Sequence, residues 1–303
     1  MKNEDITRVK ALGFLRDKTT EDCFNGRVIT RNGRVNADEM RAVAEAAERF
    51  GNGKVAFTTR LTMEIQCVPY DSIEPLCKFL EERGLETGGT GPRVRPVVSC
   101  KGTTCVFGLI DTFSLSEKIH YRFYKGYHGV KLPHKFKIAV GGCPNNCVKP
   151  DLNDVGIVGQ RIPVFDKEKC KGCKICSVAK ACPVKAVGLV DGKAEHNAEE
   201  CNSCGRCMGK CPFGAFHGYQ TAYKLYIGGR WGKRVARGIP LSHLLRTENE
   251  VLDIIEKCIL FFNEYGIAGE RFNDTVKRVG FEMAESIIFG NELIDRKEEI
   301  LSK

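Results

Sequence analysis

Two runs of cysteine constrain this 303-residue chain more than any other feature. They read Cys170-x2-Cys173-x2-Cys176-x5-Cys182-Pro183 and Cys201-x2-Cys204-x2-Cys207-x3-Cys211-Pro212. Three thiols at i, i+3 and i+6 can wrap three corners of one iron–sulfur cube, while the fourth, followed by proline, comes from elsewhere. The two runs are therefore expected to exchange their last cysteines. Zinc is the competing reading, but zinc sites are assembled from ligand pairs, and triple runs would leave thiols over.

The remaining totals fit an ordinary globular protein with room for one large or two modest cores. Hydrophobic residues make up 42% and charged residues 28% of the chain. Sixteen cysteines with no apolar signal segment and no long uncharged apolar run point to metal rather than disulfides, and to the cytoplasm without a membrane span. Exposed clusters are oxygen-labile, which suits an anaerobic host. The net charge of +9 suits an anionic substrate, an anionic cofactor or an acidic electron donor. The basic residues are dispersed and no nucleic-acid-binding signature is present, so nucleic acid is not expected as a partner.

Residues 163–216 resemble a bacterial two-cluster ferredoxin module. The resemblance implies one [4Fe–4S] cluster on Cys170, Cys173, Cys176 and Cys211, and another on Cys182, Cys201, Cys204 and Cys207. The first run has five residues before its last cysteine where that pattern has three, which reads as a longer loop around the same ligands.

Outside this insert the pattern alternates. A strand is expected at 27–31, a helix at 37–50 with Met40, Val43, Ala44, Ala47 and Phe50 inward, and strands at 54–59 and 64–68. Asp71 and Glu74 look like a capping pair for a helix carrying Ile73, Leu76, Cys77 and Leu80 inward. A further strand at 94–99 completes the order of a ferredoxin-like split βαβ unit. Beyond it come a helix near 110–124 and strands at 135–140, 154–158 and 223–227. A helix capped by Thr247 and Glu250 turns Val251, Ile254, Ile255, Cys258 and Phe262 inward, and two shorter helices end at Gly280 and Gly290. The expected fold is α+β: a ferredoxin-like half (1–99), a second α/β domain (100–162 and 217–303) and the inserted ferredoxin (163–216).

A second cysteine constellation lies before the insert, Cys100-x4-Cys105 and Cys143-x3-Cys147. Spacing alone leaves a [4Fe–4S] cluster and zinc both open. The surrounding segments VRPVVSCKGTTC, LPHKFKIAVGGCPNNC and DVGIVG resemble the sirohaem- and [4Fe–4S]-containing nitrite and sulfite reductases. Among these they are most like the catalytic C subunit of anaerobic sulfite reductases, which carries a ferredoxin insert at this place. The resemblance spans roughly residues 10–290. One spacing departs from it, since the first pair has four intervening residues where many members have five. The resemblance implies that Cys100, Cys105, Cys143 and Cys147 ligate a cube and that Cys147 also bridges to a sirohaem iron.

A small oxyanion substrate calls for a cationic pocket. Lys135 and Lys137 lie two apart on an expected strand, so both face one side while Phe136 faces the other. They match the family's Lys-x-Lys. Arg60 and Arg95 match its arginines, with Arg93 the near competitor for the second. Without the cluster motifs, such a lysine pair reads as a solvated strand face. Cys23, Cys67, Cys77 and Cys258 lack partners at ligand spacing and read as small apolar residues. His120, His128 and His134 read as structural histidines, with an axial or proton-donating role as the alternative.

The resemblance implies six-electron reduction of sulfite to sulfide, with nitrite as the rival anion, using sirohaem and three [4Fe–4S] clusters. No Gly-x-Gly-x-x-Gly follows a strand, so no nicotinamide or flavin site is expected. Electrons would come from a donor protein or from iron–sulfur and flavin companion subunits. A homodimer completing the sirohaem pocket is left open. The other class is an electron carrier without sirohaem, which would have no use for Arg60, Arg95, Lys135 and Lys137.

Overall fold

The computed structural model describes residues 3–302. Helix α1 (Asn3–Ala11) leads into an antiparallel sheet of β1 (Phe14–Arg16), β2 (Cys23–Val28), β3 (Val55–Phe57) and β4 (Met63–Pro69), in the order β1-β2-β4-β3. Helices α2 (Ala37–Phe50) and α3 (Ile73–Glu81) cover it. Asn36 and Glu39 form a reciprocal capping box at the start of α2, which satisfies two otherwise orphaned amides. Its inward face is Ala42, Val43, Ala46 and Ala47, whereas Met40 is 40% exposed. The buried stripe is thus rotated from the expected one: small alanines, which carry a weak hydrophobic signal, take the inner side. Asp71 and Glu74 do not cap α3, whose N-terminus has no side-chain cap. Glu74 instead pairs with Arg8 at 2.8 Å. Phe79 is buried in α3, while Cys77 is only half-buried.

The second sheet is built of β5 (Val98–Ser99), β6 (Ile138–Gly141), β7 (Val155–Phe165), β10 (Phe216–Ile227) and β11 (Ile239–Pro240), in the order β11-β10-β7-β6-β5. Strand β5 pairs in parallel with β6, and β6 pairs in parallel with β7. The 94–99 segment therefore joins this sheet instead of closing the first one. Helix α4 (Thr112–Ile119) runs on into a π-helical turn over His120–Lys125. Lys135 and Lys137 precede the regular strand, yet Phe136 bridges Val94 in parallel and is fully buried. The alternation expected at 135–137 holds in this extended lead-in.

Strands β7 and β10 (Phe216–Ile227) form a long antiparallel arm that carries the insert. The insert holds α5 (Ser177–Ala181) and the hairpin β8 (Val187–Val190) and β9 (Lys193–His196). Phe165 and Phe216 stack at 4.6 Å where the arm enters it. After β11 (Ile239–Pro240), helix α6 (Glu248–Tyr265) begins with the Thr247–Glu250 capping box and buries Val251, Ile254, Ile255, Cys258 and Phe262. Helices α7 (Phe272–Val279) and α8 (Phe281–Phe289) follow, ended by Gly280 and Gly290. Phe136, Phe262 and Phe272 pack together beneath the parallel strands, with ring centroids 5.1 to 5.9 Å apart.

Candidate functional site

The first four-cysteine group lies at the carboxyl ends of parallel strands, where open α/β sheets present their sites. Cys100 follows β5, and Cys143 follows β6 by one glycine. The two loops touch backbone to backbone. A Cβ on Gly142 would stand 2.8 Å from Gly102 Cα, so only glycine permits this approach. The Gly142 amide donates to Cys100 Sγ at 3.1 Å. Burial pushes the Cys143 thiol up, and the neighbouring Cys100, Cys147 and Cys105 push the same way. All four sulfurs therefore share one locality.

The insert forms two further groups. Cys170, Cys173, Cys176 and Cys211 line one cavity of about 110 Å³ with Ile175, Leu189 and Phe213. Burial pushes the Cys207 thiol up to about 11, with Cys201, Cys204 and Cys182 adding to the effect. The last cysteine of each run thus keeps company with the other run. Peptide amides donate to Cys170 from Ala194 at 3.3 Å and to Cys201 from Ser203 at 3.4 Å. Ala215 donates to Cys211 at 3.4 Å. Thiol-only donor sets bonded by peptide N–H groups suit iron–sulfur cubes, whose potentials such bonds help to set.

The group containing Cys201 faces the first constellation. Cys201 lines a cavity of about 380 Å³ together with Pro144 and Asn146, and Arg206 stands 5.4 Å over the Phe107 ring. The cavity at Cys170 is lined by insert residues alone, and Ile175 at its rim is 73% exposed. The first of these two groups is thus inner and the second outer.

Lys135 and Lys137 line a cavity of about 320 Å³ with Arg60, Arg95 and Arg27. An adjoining cavity of about 240 Å³ shares Thr59, Arg60 and Lys137 and reaches Val148, next to Cys147. Neither lysine ammonium has an ion-pair partner among the described residues. Burial brings the Lys137 pKa down to about 8, with Arg60 and Arg271 adding to the drop. Lys135 is lowered for the same leading reason. Burial likewise lowers Arg95 to about 10, and its Nε has no hydrogen-bond partner. Such crowded, unneutralised charge would be relieved by an anion. Arg95 lines this cavity and Arg93 does not.

Arg60 is committed differently. Its guanidinium donates to Pro96 O at 2.6 and 3.1 Å, to Ile138 O at 3.2 Å and to Asn153 Oδ1 at 3.1 Å. It braces the cavity wall between the two sheets while its charge faces both cavities.

Sequence reasoning misses two features of this site. Asp154 and Arg271 form a buried pair behind Lys137, and Asp154 accepts the Lys137 peptide N–H at 2.8 Å. Lys149, at φ 47°, stands 5.8 Å over the ring of Trp231, and both line the second cavity. Only Trp231, as the single tryptophan, carries a signal in the sequence. Among the four unassigned cysteines, Cys258 is buried, while Cys67 and Cys77 are half-buried. Cys23 does have a neighbour, since burial and then Cys67 raise its pKa to about 11. Cys77 lies 3.5 Å from Thr87 Oγ1. Of the three histidines, His120 is buried and lines a separate small cavity. His134 faces Arg271, Lys135 and Arg95, and His128 packs edge-on to Tyr124.

Known proteins are similar to this chain in sequence and fold. Residues 90–293 match the nitrite and sulphite reductase 4Fe-4S domain, and residues 16–83 match the nitrite/sulfite reductase ferredoxin-like half domain. The chain is 33% identical over 247 residues to the coenzyme F420-dependent sulfite reductase of Methanocaldococcus jannaschii, covering 80% of this chain but 38% of that protein. It is 29% identical to the C subunit of the anaerobic sulfite reductase of Salmonella typhimurium, covering 74% of this chain and 70% of the relative. The crystal structure of dissimilatory sulfite reductase I superposes with a TM-score of 0.70 at 19% identity, over 88% of this chain and 69% of that one. That likeness is one of fold. No helix among the described residues is long and apolar enough to cross a membrane. The chain belongs to the nitrite and sulphite reductase 4Fe-4S family.

Proposed function

We propose that this chain is the catalytic part of a sirohaem-dependent sulfite reductase, an oxidoreductase fed by its own ferredoxin insert. The observation that carries this reading is the cavity walled by Arg60, Arg95, Lys135 and Lys137, which continues through a second cavity to Val148, the residue after Cys147. An electron carrier would have no reason to gather four half-buried cations around one cavity.

In this reading those four cysteines hold a [4Fe–4S] cluster, and Cys147, the exposed member, also ligates the sirohaem iron. Cys182, Cys201, Cys204 and Cys207 hold an inner cluster, and Cys170, Cys173, Cys176 and Cys211 an outer one. When bound, these groups carry electrons singly to an iron at which the oxyanion is reduced. The chain's own residues bind and protonate. Lys135 and Lys137 hold the anion; burial lowers both pKa values, and that of Lys137, at about 8, makes it a ready proton donor. Arg95 adds a fixed charge, and Arg60 holds the wall in place. The two cavities also suit sirohaem, whose peripheral carboxylates need cationic partners.

The organisation we infer is a ferredoxin-like half over 1–99, a cofactor domain over 100–162 and 217–303, and the insert over 163–216. Electrons would arrive at the outer cluster from a separate donor or from companion subunits. Reduced thiols in this number suit an anaerobic cytoplasm. Anaerobically loaded protein, reduced by one dye and offered sulfite and nitrite in turn, tests the function. Faster turnover of sulfite is expected. A strong preference for nitrite would move the chain to nitrite reduction.

A further inference from the structure

Reduction of hydrogensulfite to hydrosulfide consumes six protons with six electrons and releases three waters. The two cavity lysines cannot supply that number without being recharged from solvent.

Two buried polar atoms beside the cavity, His120 Nδ1 and Arg95 Nε, lack hydrogen-bond partners, and between them Tyr124 Oη has only the Gly89 peptide N–H, at poor geometry. Buried polar groups are almost always paired, and unseen water is a standard reason when they are not. These three are placed in sequence. His120 lines a small cavity of about 60 Å³ whose other walls include Glu86 and Lys125. Its Nε2 stands 3.8 Å from Glu86 Oε1, and Glu86 is one-third exposed. The π-helical turn stacks His120 on Tyr124, with ring centroids 5.0 Å apart at 26°. Such turns are frequent at functional sites. The Tyr124 hydroxyl lies against Gly88, so close that a Cβ there would meet it at 2.6 Å. The next residue, Gly89, lines the cationic cavity and accepts a hydrogen bond from Arg95 Nη1.

We propose that His120 and Tyr124, bridged by ordered water, form a proton-relay path from the surface at Glu86 to the cation-lined cavity at Arg95. The proposal rests on the reading of that cavity as the site of anion reduction. A proton arrives on imidazole Nε2, and the proton on Nδ1 leaves to the bridging water. The Tyr124 hydroxyl passes its own proton to water in the cavity beside Arg95, whose guanidinium only donates, and is reprotonated from the bridging water behind. No electron moves, and both side chains end as they began apart from the imidazole tautomer, which resets by ring exchange with water. Burial holds His120 neutral, with Lys125 and Arg31 adding to the effect, so it relays a proton without storing charge.

Tyr124→Phe removes one oxygen and keeps the ring packing. In loaded enzyme its turnover of sulfite is expected to fall about tenfold or more, against the roughly hundredfold that loss of a direct proton donor can cost. KM and the visible spectrum should stay constant, and the solvent deuterium isotope effect on kcat should rise. His120→Gln should behave alike. Unchanged kcat and isotope effect in Tyr124→Phe would overturn the relay. A high-resolution crystal structure of loaded protein gives a second reading that needs no turnover. Ordered waters on His120 Nδ1 and Tyr124 Oη are expected, and a dry gap would overturn the path even in an active enzyme. A wild-type chain reducing neither anion would instead sink the reading of the cavity, and the relay with it.

Discussion

Arg271 Nη2 lies 3.1 Å from both carboxylate oxygens of Asp154, and neither side chain reaches bulk solvent. Asp154 also accepts the Lys137 peptide N–H. One buried carboxylate thereby ties the residue that opens α7, the start of β7 and the lysine segment into one frame. It is also the carboxylate that partly offsets the charges of Arg60, Lys135 and Lys137.

Asp154→Ala would leave Arg271 buried without a partner. Removing one member of such a pair costs about 3–5 kcal/mol. A drop of that size in denaturant-unfolding free energy is expected. A change under about 1 kcal/mol would show that the pair is dispensable.

The alternation at 135–137 makes two opposite predictions. Phe136→Ala removes a ring packed against Phe262 and Phe272 and should cost about 3–5 kcal/mol of stability. Lys137→Ala should leave iron content unchanged and should not lower stability, because its half-buried ammonium faces the cavity and is disfavoured there. Its anion reduction should fall by roughly a hundredfold, as when an oxyanion donor is removed. Turnover and thermal melts on both variants check the contrast.

Lys137 also sets a pH limit. Its pKa in the folded chain is about 8, below the ordinary lysine value of 10.5. The ammonium is present below pH 8 and is lost as pH rises through it, so anion affinity should weaken above about pH 8. Stability moves the opposite way: in the window between the two values the unfolded chain holds the extra proton, so this group's destabilising contribution fades and stability rises with pH. KM measured from about pH 7 to about pH 9.5, a span bracketing the lowered value, in wild type and Lys137→Ala checks this. A flat wild-type profile would remove Lys137 from the anion site.

The exchange of cysteines between the two runs predicts which cluster each substitution removes. Cys182→Ser should disturb the inner cluster with Cys201, Cys204 and Cys207, and Cys211→Ser the outer one. Low-temperature electron paramagnetic resonance of the reduced variants separates the two. If Cys182→Ser removed the cluster at Cys170 instead, the pairing inferred from the 110 Å³ cavity would be wrong.

Local signals are legible in the chain. The cysteine runs, the Thr247–Glu250 box and the Lys135–Lys137 alternation each depend on neighbours a few residues apart. What depends on distant partners is not. Asp154 and Arg271 are 117 residues apart, and nothing in either context announces the other. Glu74 departs from its capping pattern because Arg8, 66 residues away, takes its carboxylate. The 94–99 segment has the look of any short strand, and only β6 decides which sheet it enters. Strands β7 and β10 extend past their apolar cores because each supplies the other's backbone partners along the arm.

In the proposed reading Cys147 would help to hold both an iron–sulfur cube and a sirohaem beside the cavity of fixed positive charge. The most direct test counts iron, inorganic sulfide and tetrapyrrole in anaerobically purified protein. Three cubes and one sirohaem predict about thirteen iron and about twelve sulfide per chain, together with the visible bands of an iron tetrapyrrole. A fully metal-loaded chain with about twelve iron and no tetrapyrrole would contradict the claim and leave an electron carrier.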